Sequence, residues 1–206
     1  MTWRAPKRHD LMMPKSDKAP RRWSDATRAS LLHAGVAAFG EHGFDALSEE
    51  AIARQANLTR GALQYQFGSK RGLFAAAFAH VLTETAQLIA DQTMERAHSV
   101  AELGEGVGVL MDLALDPPRR RLLFVEAPIV LGWNDWRAGL RGAFEHLLHH
   151  ALGHWASSGL IAEAEIPGYA EVILGAGVQA ALAQSAGDPQ PRQALEAMIA
   201  RLAKPS

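Results

Sequence analysis

A short run near residue 60 concentrates side chains that can grip and read a polyanion. Thr59, Arg60, Gly61, Gln64, Tyr65 and Gln66 fall at the spacing of exposed positions on one short helix, and Lys70 follows just beyond. Glutamine can bond the major-groove edge of adenine, arginine pairs with guanine or phosphate, and glycine lets a backbone approach closely. Thr59 is a good N-cap, and the free N–H groups of the helix it opens attract phosphate. Lys70 is placed for a second phosphate. The chemistry implied is recognition of double-stranded DNA. A polar face on an ordinary helical hairpin carries the same residue types, so the elements around the run decide between the two.

Those elements read as helices. Ser24 caps a first helix, Asp25 favours its positive end, and Gly43 supplies a left-handed stop. Leu31, Leu32, Gly35, Ala38, Phe39 and His42 form its buried stripe. Gly35 costs up to about 1 kcal/mol against alanine there, which implies close packing by another helix. A second helix runs from Ser48, its cap, to about Gln55, with Glu49 and Glu50 in its first turn. Ile52 and Ala53 face inward. Ala56, Leu58 and Leu63 complete a small core, and Asn57, which tolerates positive φ, makes the turn. A third helix runs from Arg60 to about Phe67. Gly68 ends it, Ser69 caps the fourth, and a long helix follows from Lys70 to about Ala97. Two short helices joined by so tight a turn have helix-turn-helix geometry.

The bulk properties agree. At 206 residues, 48% hydrophobic and 21% charged, the chain has the make-up of an ordinary globular protein. No run of about 18 consecutive apolar residues occurs, so no membrane span and no membrane partner is expected. Nothing resembles a secretion signal, and cysteine is absent, which excludes disulfides and thiolate metal sites. A cytoplasmic location is expected. The formal net charge of −1 divides into +5 over residues 1–80 and −6 over residues 81–206, so the basic end is the one suited to a polyanion.

The stretch from Arg28 to Phe74 strongly resembles the DNA-binding domain of the TetR family of bacterial repressors. The residues that carry the likeness are L-L-H-A-G-V-A-A-F-G-E-H-G-F, I-A-R-Q-A-N-L-T-R-G-A-L-Q-Y-Q-F and G-S-K-R-G-L-F. The resemblance implies an all-α fold of about nine helices. A three-helix DNA-binding domain (residues 23–69) would follow an N-terminal arm (residues 1–22) and precede a larger ligand-binding and dimerisation domain (residues 70–206), with residues 70–97 as the connecting helix. It also implies a homodimer on a palindromic operator, released by a small-molecule effector. Thr59, Arg60, Gly61, Tyr65 and Lys70 would touch DNA, and Ser48 would contact a phosphate. Arg21 and Arg22 form a candidate arm for the minor groove or the phosphates. Three departures stand out. The family's usual L-Y-x-H-F is here Leu63-Gln64-Tyr65-Gln66-Phe67, so the operator sequence cannot be borrowed from a relative. Asn57 replaces a glycine, a tolerable change. Glu49 replaces an apolar residue, which is expected to loosen the second helix. Whether translation starts at Met1 or at Met12 or Met13 is left open.

The remainder reads as helical, with breaks expected at Gly104–Gly108, Asp116-Pro117-Pro118, Pro128 to Asn134, Ser157-Ser158-Gly159, Pro167-Gly168 and Gly187 to Pro191. Met94, Met111, Leu115, Phe124, Trp133, Trp136 and Phe144 are candidates for an effector pocket, against the simpler reading that they are core. His146, His150 and His154 share a helix face at metal-binding spacing. Only Glu145 lies near that stripe, so no metal is assigned, and no cofactor is expected. The Gly- and Ala-rich run over residues 168–186 suits close helix packing, as in the family's dimer interface. No nucleophile elbow, phosphate loop or HExxH occurs, so the chain is not read as an enzyme. The competing reading is a dimeric helical scaffold or small-molecule-binding protein that no longer reads DNA.

Overall fold

The computed structural model describes residues 25–93 and 102–202. Among them are nine helices and no strand. α1 is Asp25–His42, α2 Glu49–Gln55, α3 Arg60–Phe67, α4 Lys70–Thr93 and α5 Glu102–Leu113. α6 consists of three consecutive pieces, Pro117–Arg120, a π-wound Arg121–Glu126, and Ala127–Val130. α7 is Trp133–Ser157, α8 Ile166–Ser185 and α9 Gln190–Leu202. Ser24, Arg21, Arg22, Met94 and the end of the expected connecting helix lie outside the described residues.

The N-terminal unit is built as its sequence predicts. Leu31, Ala38 and Phe39 of α1, Ile52 and Ala53 of α2, Leu63 of α3 and Leu73 and Phe74 of α4 are buried together. A cluster of Phe39, Phe44 and Phe74, with ring centroids 5.0 to 5.9 Å apart, ties α1 and its following loop to α4. Such pairs add about 0.5–1.5 kcal/mol beyond area burial. A Cβ on Gly35 would lie 3.1 Å from the Leu73 side chain, which is why α1 carries a glycine where α4 crosses it. His42, expected in the buried stripe, is exposed at the C-terminal end of α1.

α4 leads into the body, packing against α1 at its start and against α5 and α7 along its length. α8 packs on α5, α7 and α9. α4 and the segment Glu163–Ser185 are long and apolar enough to cross a membrane by composition. Both place part of their apolar surface against neighbouring helices.

Two expected breaks are absent. α5 runs straight through Gly104–Gly108; Gly106 serves close approach to α4, since a Cβ on it would lie 3.2 Å from Ile89, while a Cβ on Gly104 would make only ordinary contact with Ile199 at 3.6 Å. Pro167 and Gly168 lie in the first turn of α8, where proline's missing N–H costs nothing. The break expected between Pro128 and Asn134 is present and falls at Gly132 (φ +88°). Pro128 cannot donate to the Phe124 carbonyl one turn back, and α6 takes π winding just there.

α6 is the seam between the two units. Its Arg121 donates to the carbonyls of Gly40 (3.3 Å) and Glu41 at the end of α1. A Cβ on Gly40 would lie 2.9 Å from Pro118, so α1 and α6 meet at backbone distance. Arg71, in the first turn of α4, donates to Val130 O (3.0 Å) and Leu131 O (3.1 Å), satisfying carbonyls at the end of α6.

Candidate nucleic-acid interface

α2 and α3 are placed by their caps. Ser48 Oγ accepts from Ala51 N at 3.1 Å and Thr59 Oγ1 from Ala62 N at 3.3 Å. Asn57 turns the chain between them with φ +54°. Gly68 (φ +75°) stops α3, and Ser69 Oγ caps α4 by accepting from Gly72 N at 3.0 Å. A Cβ on Gly72 would collide with the Phe67 carbonyl oxygen, so α3 and α4 are locked at a close crossing.

Ser48, Thr59, Arg60, Gly61, Gln64 and Tyr65 all reach solvent, and Tyr65 is 70% exposed. Gln66, expected on the same face, is half-buried. Its carbonyl accepts from Arg28 Nη1 at 2.8 Å, and the Arg28 guanidinium lies over the Phe67 ring. Gly61 has negative φ, and a Cβ on it would meet nothing nearer than Thr59 Oγ1 at 3.8 Å. Unlike Gly35, Gly40 and Gly72, this glycine answers no demand from inside the protein.

Glu49 occupies a place that sequence reasoning misjudged. It does not loosen α2; it staples α2 to α3 and α4. One carboxylate oxygen accepts from Arg60 Nε (2.9 Å) and Gln64 Nε2 (3.1 Å), and the other accepts from Lys70 N (2.9 Å). Burial pushes its carboxyl up, but the bonds from Arg60, the Lys70 N–H and Gln64 outweigh this and hold it below the usual carboxylate range. Glu50 adds a second carboxylate 3.0 Å from Arg60 Nη1. The negative group therefore sits on the free N–H groups that open α4, where an anion is favoured. Lys70 turns its ammonium inward, donating to Phe44 O (2.9 Å) and Leu47 O (2.8 Å) over the Phe44 ring.

Charge is distributed unevenly within the basic end. Residues 1–24 hold seven Lys/Arg against two Asp/Glu, whereas residues 25–80 hold five of each. The entire excess of +5 lies ahead of α1.

The side chains expected to wall one effector pocket do not come together. Phe144 lines an apolar cavity of about 40 Å3 with Ile89, Thr93, Leu103, Leu148 and Ile173, and Glu102 at its edge. Phe124, Trp133 and Trp136 line a separate groove of about 300 Å3 with Leu140, Val178 and Gln179. The Trp136 indole N–H donates to Leu123 O at 2.8 Å, so this side chain also latches α7 to α6. Met111 is fully buried in the core, and Leu115 is half-exposed beyond the end of α5. Helical stripes cannot tell these fates apart, since core and pocket walls share a period.

Residues 31–77 match the family model for bacterial regulatory proteins of the tetR family, and residues 100–204 match the tetracyclin repressor-like C-terminal domain. The HTH-type transcriptional regulator BetI of Burkholderia ambifaria is 26% identical over 137 residues, a match spanning 66% of each chain and so just under two thirds of that relative. A solved TetR-family transcriptional regulator from Pectobacterium atrosepticum is 27% identical with a TM-score of 0.73, covering 91% of this chain and all of that one. The fatty acid degradation regulator FadR of Bacillus halodurans shares the fold at 16% identity and TM-score 0.68, over 85% of this chain and 94% of its own. Two matched domains in the expected order, on a helix-turn-helix with this geometry, place the chain in the TetR family of helix-turn-helix transcriptional regulators.

Proposed function

We propose that the chain is a ligand-responsive repressor that binds a palindromic operator as a homodimer and is released by a small-molecule effector. The observation that carries this reading is the outward face of α3. Thr59, Arg60, Gly61, Gln64 and Tyr65 are exposed on a helix packed from behind, and Gly61, which no neighbour inside the protein requires, leaves room for close approach of DNA backbone. Ser48 and Thr59 open α2 and α3 toward phosphates, Gln64 and Arg60 exchange their bonds to Glu49 and Glu50 for base edges when DNA binds, and Arg21 and Arg22 belong to the arm that brings the positive charge.

The dimer face is assigned to α8 and α9. Gly168, Val172, Gly175 and Gln179 form one exposed stripe on α8, and Met198 and Leu202 are exposed apolar residues on α9. The effector is assigned to the body, with a largely apolar chemistry suited to the cavity at Phe144 or the groove at Trp136. The cavity's 40 Å3 is far below the roughly 300–1,000 Å3 of sites for drug-sized ligands, so occupancy there requires α5 to shift. An effector that favours a shifted body must lower operator affinity by linkage. The chain acts in the cytoplasm, where the chromosome is.

Sequencing the fragments of its own genome that the purified chain retains tests the reading. Enrichment of an inverted repeat with half-sites about 34 Å apart is expected. The pairing of Arg60 with Glu49 and Glu50 favours the competing reading of a scaffold that no longer reads DNA; enrichment of no sequence over input would decide for it.

A further inference from the structure

Three metal-ligating side chains meet in the body, away from the DNA-binding face. Glu102 opens α5 and is 7% exposed. His150 and His154 stand one turn apart on α7 and are half-buried. The His stripe lacked a carboxylate of its own in sequence; the fold supplies one from another helix, while His146 stays exposed. Glu102 Oε1 lies 3.1 Å from His150 Nδ1, and Oε2 lies 3.8 Å from His154 Nε2. The two imidazoles meet edge to face at 4.8 Å, and one donor atom from each of the three residues lies within 4.8 Å of the others. Glu102 Oε2 is buried with no hydrogen-bond partner among the described residues. A buried carboxylate oxygen left so is costly unless a cation completes it.

We propose that Glu102, His150 and His154 bind a divalent transition-metal ion of the Zn2+ class. Two imidazoles and one carboxylate suit zinc, cobalt or nickel, whereas magnesium and calcium prefer oxygen ligands throughout. Histidines at i and i+4 present their rings on one helix face, as a chelating pair requires. Tetrahedral ligation at ~2.1 Å needs donors ~3.5 Å apart, which rotation of the His154 ring toward Glu102 provides. Three protein ligands leave a fourth position open to water or to another donor. Glu102 also lines the apolar cavity with Thr93 and Phe144. A bound ion therefore clamps the start of α5 to α7 at the edge of the cavity assigned to the effector. The site itself does not depend on whether α3 reads DNA.

The test uses the full chain, freed of any affinity tag and of adventitious metal by chelator, titrated calorimetrically with ZnCl2 and optically with CoCl2. One ion per chain is expected, with intense visible absorption of four-coordinate cobalt. Glu102→Gln, His150→Ala and His154→Ala should each weaken binding about tenfold or more, while His146→Ala and His149→Ala leave it unchanged. Helical circular dichroism identifies variants that keep the fold, and the cobalt spectrum of the unmutated chain reads the site without any variant. The proposal is overturned by absence of saturable one-to-one binding, by a six-coordinate cobalt spectrum, or by unchanged affinity in a folded Glu102→Gln chain; the trio is then an ordinary ion pair.

Discussion

Gly61 and Glu49 show what single residues do at the candidate interface on α2 and α3. Gly61→Ala removes the entropic cost of a helical glycine and clashes with nothing inside the protein. It should raise stability by up to about 1 kcal/mol while weakening operator binding; thermal melts and DNA titrations that move in the same direction would refute the role given to this glycine. Glu49 links three helices through charge-assisted bonds, so Glu49→Gln should cost about 1–3 kcal/mol. It should also strengthen binding to any DNA by removing a negative charge from the start of α4. The folded carboxyl is held below its ordinary value of 4.5. Its stabilisation is therefore complete above that value and is lost as pH falls through the lower folded value. The gap in melting temperature between the native chain and Glu49→Gln should accordingly close from pH 7 to pH 3. Lys70 carries a further expectation. Its ammonium is already bonded to Phe44 and Leu47, so Lys70→Ala should act first on stability and change the salt dependence of DNA binding by less than the one unit that a lost phosphate contact implies. The exposed face of α3 was legible in sequence because caps and spacing are local. The role of Glu49 was not, because its partners lie 11 to 21 residues away.

At the scale of elements, α2, α3 and the start of α4 were legible nearly to the residue. Ser48, Asn57, Thr59, Gly68 and Ser69 each do locally what their chemistry predicts. The body was read less well, for a definite reason. A glycine or proline announces a break only when no neighbour requires it. Gly106 instead makes room for α4, and Pro167 sits in a first turn that tolerates it. α6 was the chief omission. Its contacts with α1 and with Arg71 of α4 join residues far apart in the chain, so nothing in its own sequence marks it as the seam. Residues 70–97 were expected to be the connecting helix, whereas α6 also touches both units. Gly72 measures how tightly α4 is coupled to α3. Gly72→Ala sets a methyl against the Phe67 carbonyl and should cost about 1–3 kcal/mol, read from denaturant midpoints. A neutral Gly72→Ala would mean that α3 and α4 are less closely locked than their crossing implies.

At the scale of the whole molecule, affinity for DNA depends on charge and on symmetry. All of the basic excess of the N-terminal end lies in residues 1–24. Removing residues 1–22 should therefore flatten the dependence of log affinity on log salt by several units, up to about six for seven cations. The helix-turn-helix itself carries no net charge, so on the proposed reading it contributes selectivity, and selecting a palindrome would need two copies. Val172→Glu places a charge in the exposed stripe of α8, and should convert a dimer to monomers by light scattering and weaken specific binding by about a thousandfold. The family and the helical class were legible from one 50-residue stretch, whereas the side chains proposed as walls of one effector pocket divide between a cavity and a groove. The most direct test of the central claim is fluorescence anisotropy of the full chain on DNA from upstream of its own gene, against random DNA of equal length, at about 150 mM salt, where charge alone binds weakly. The account predicts saturable binding to the upstream DNA at one or two dimers per site, at least about a thousandfold tighter than to random DNA, with the preference reduced in Gln64→Ala. Equal affinity for the two DNAs, joined to an absence of any enriched genomic sequence, would contradict it.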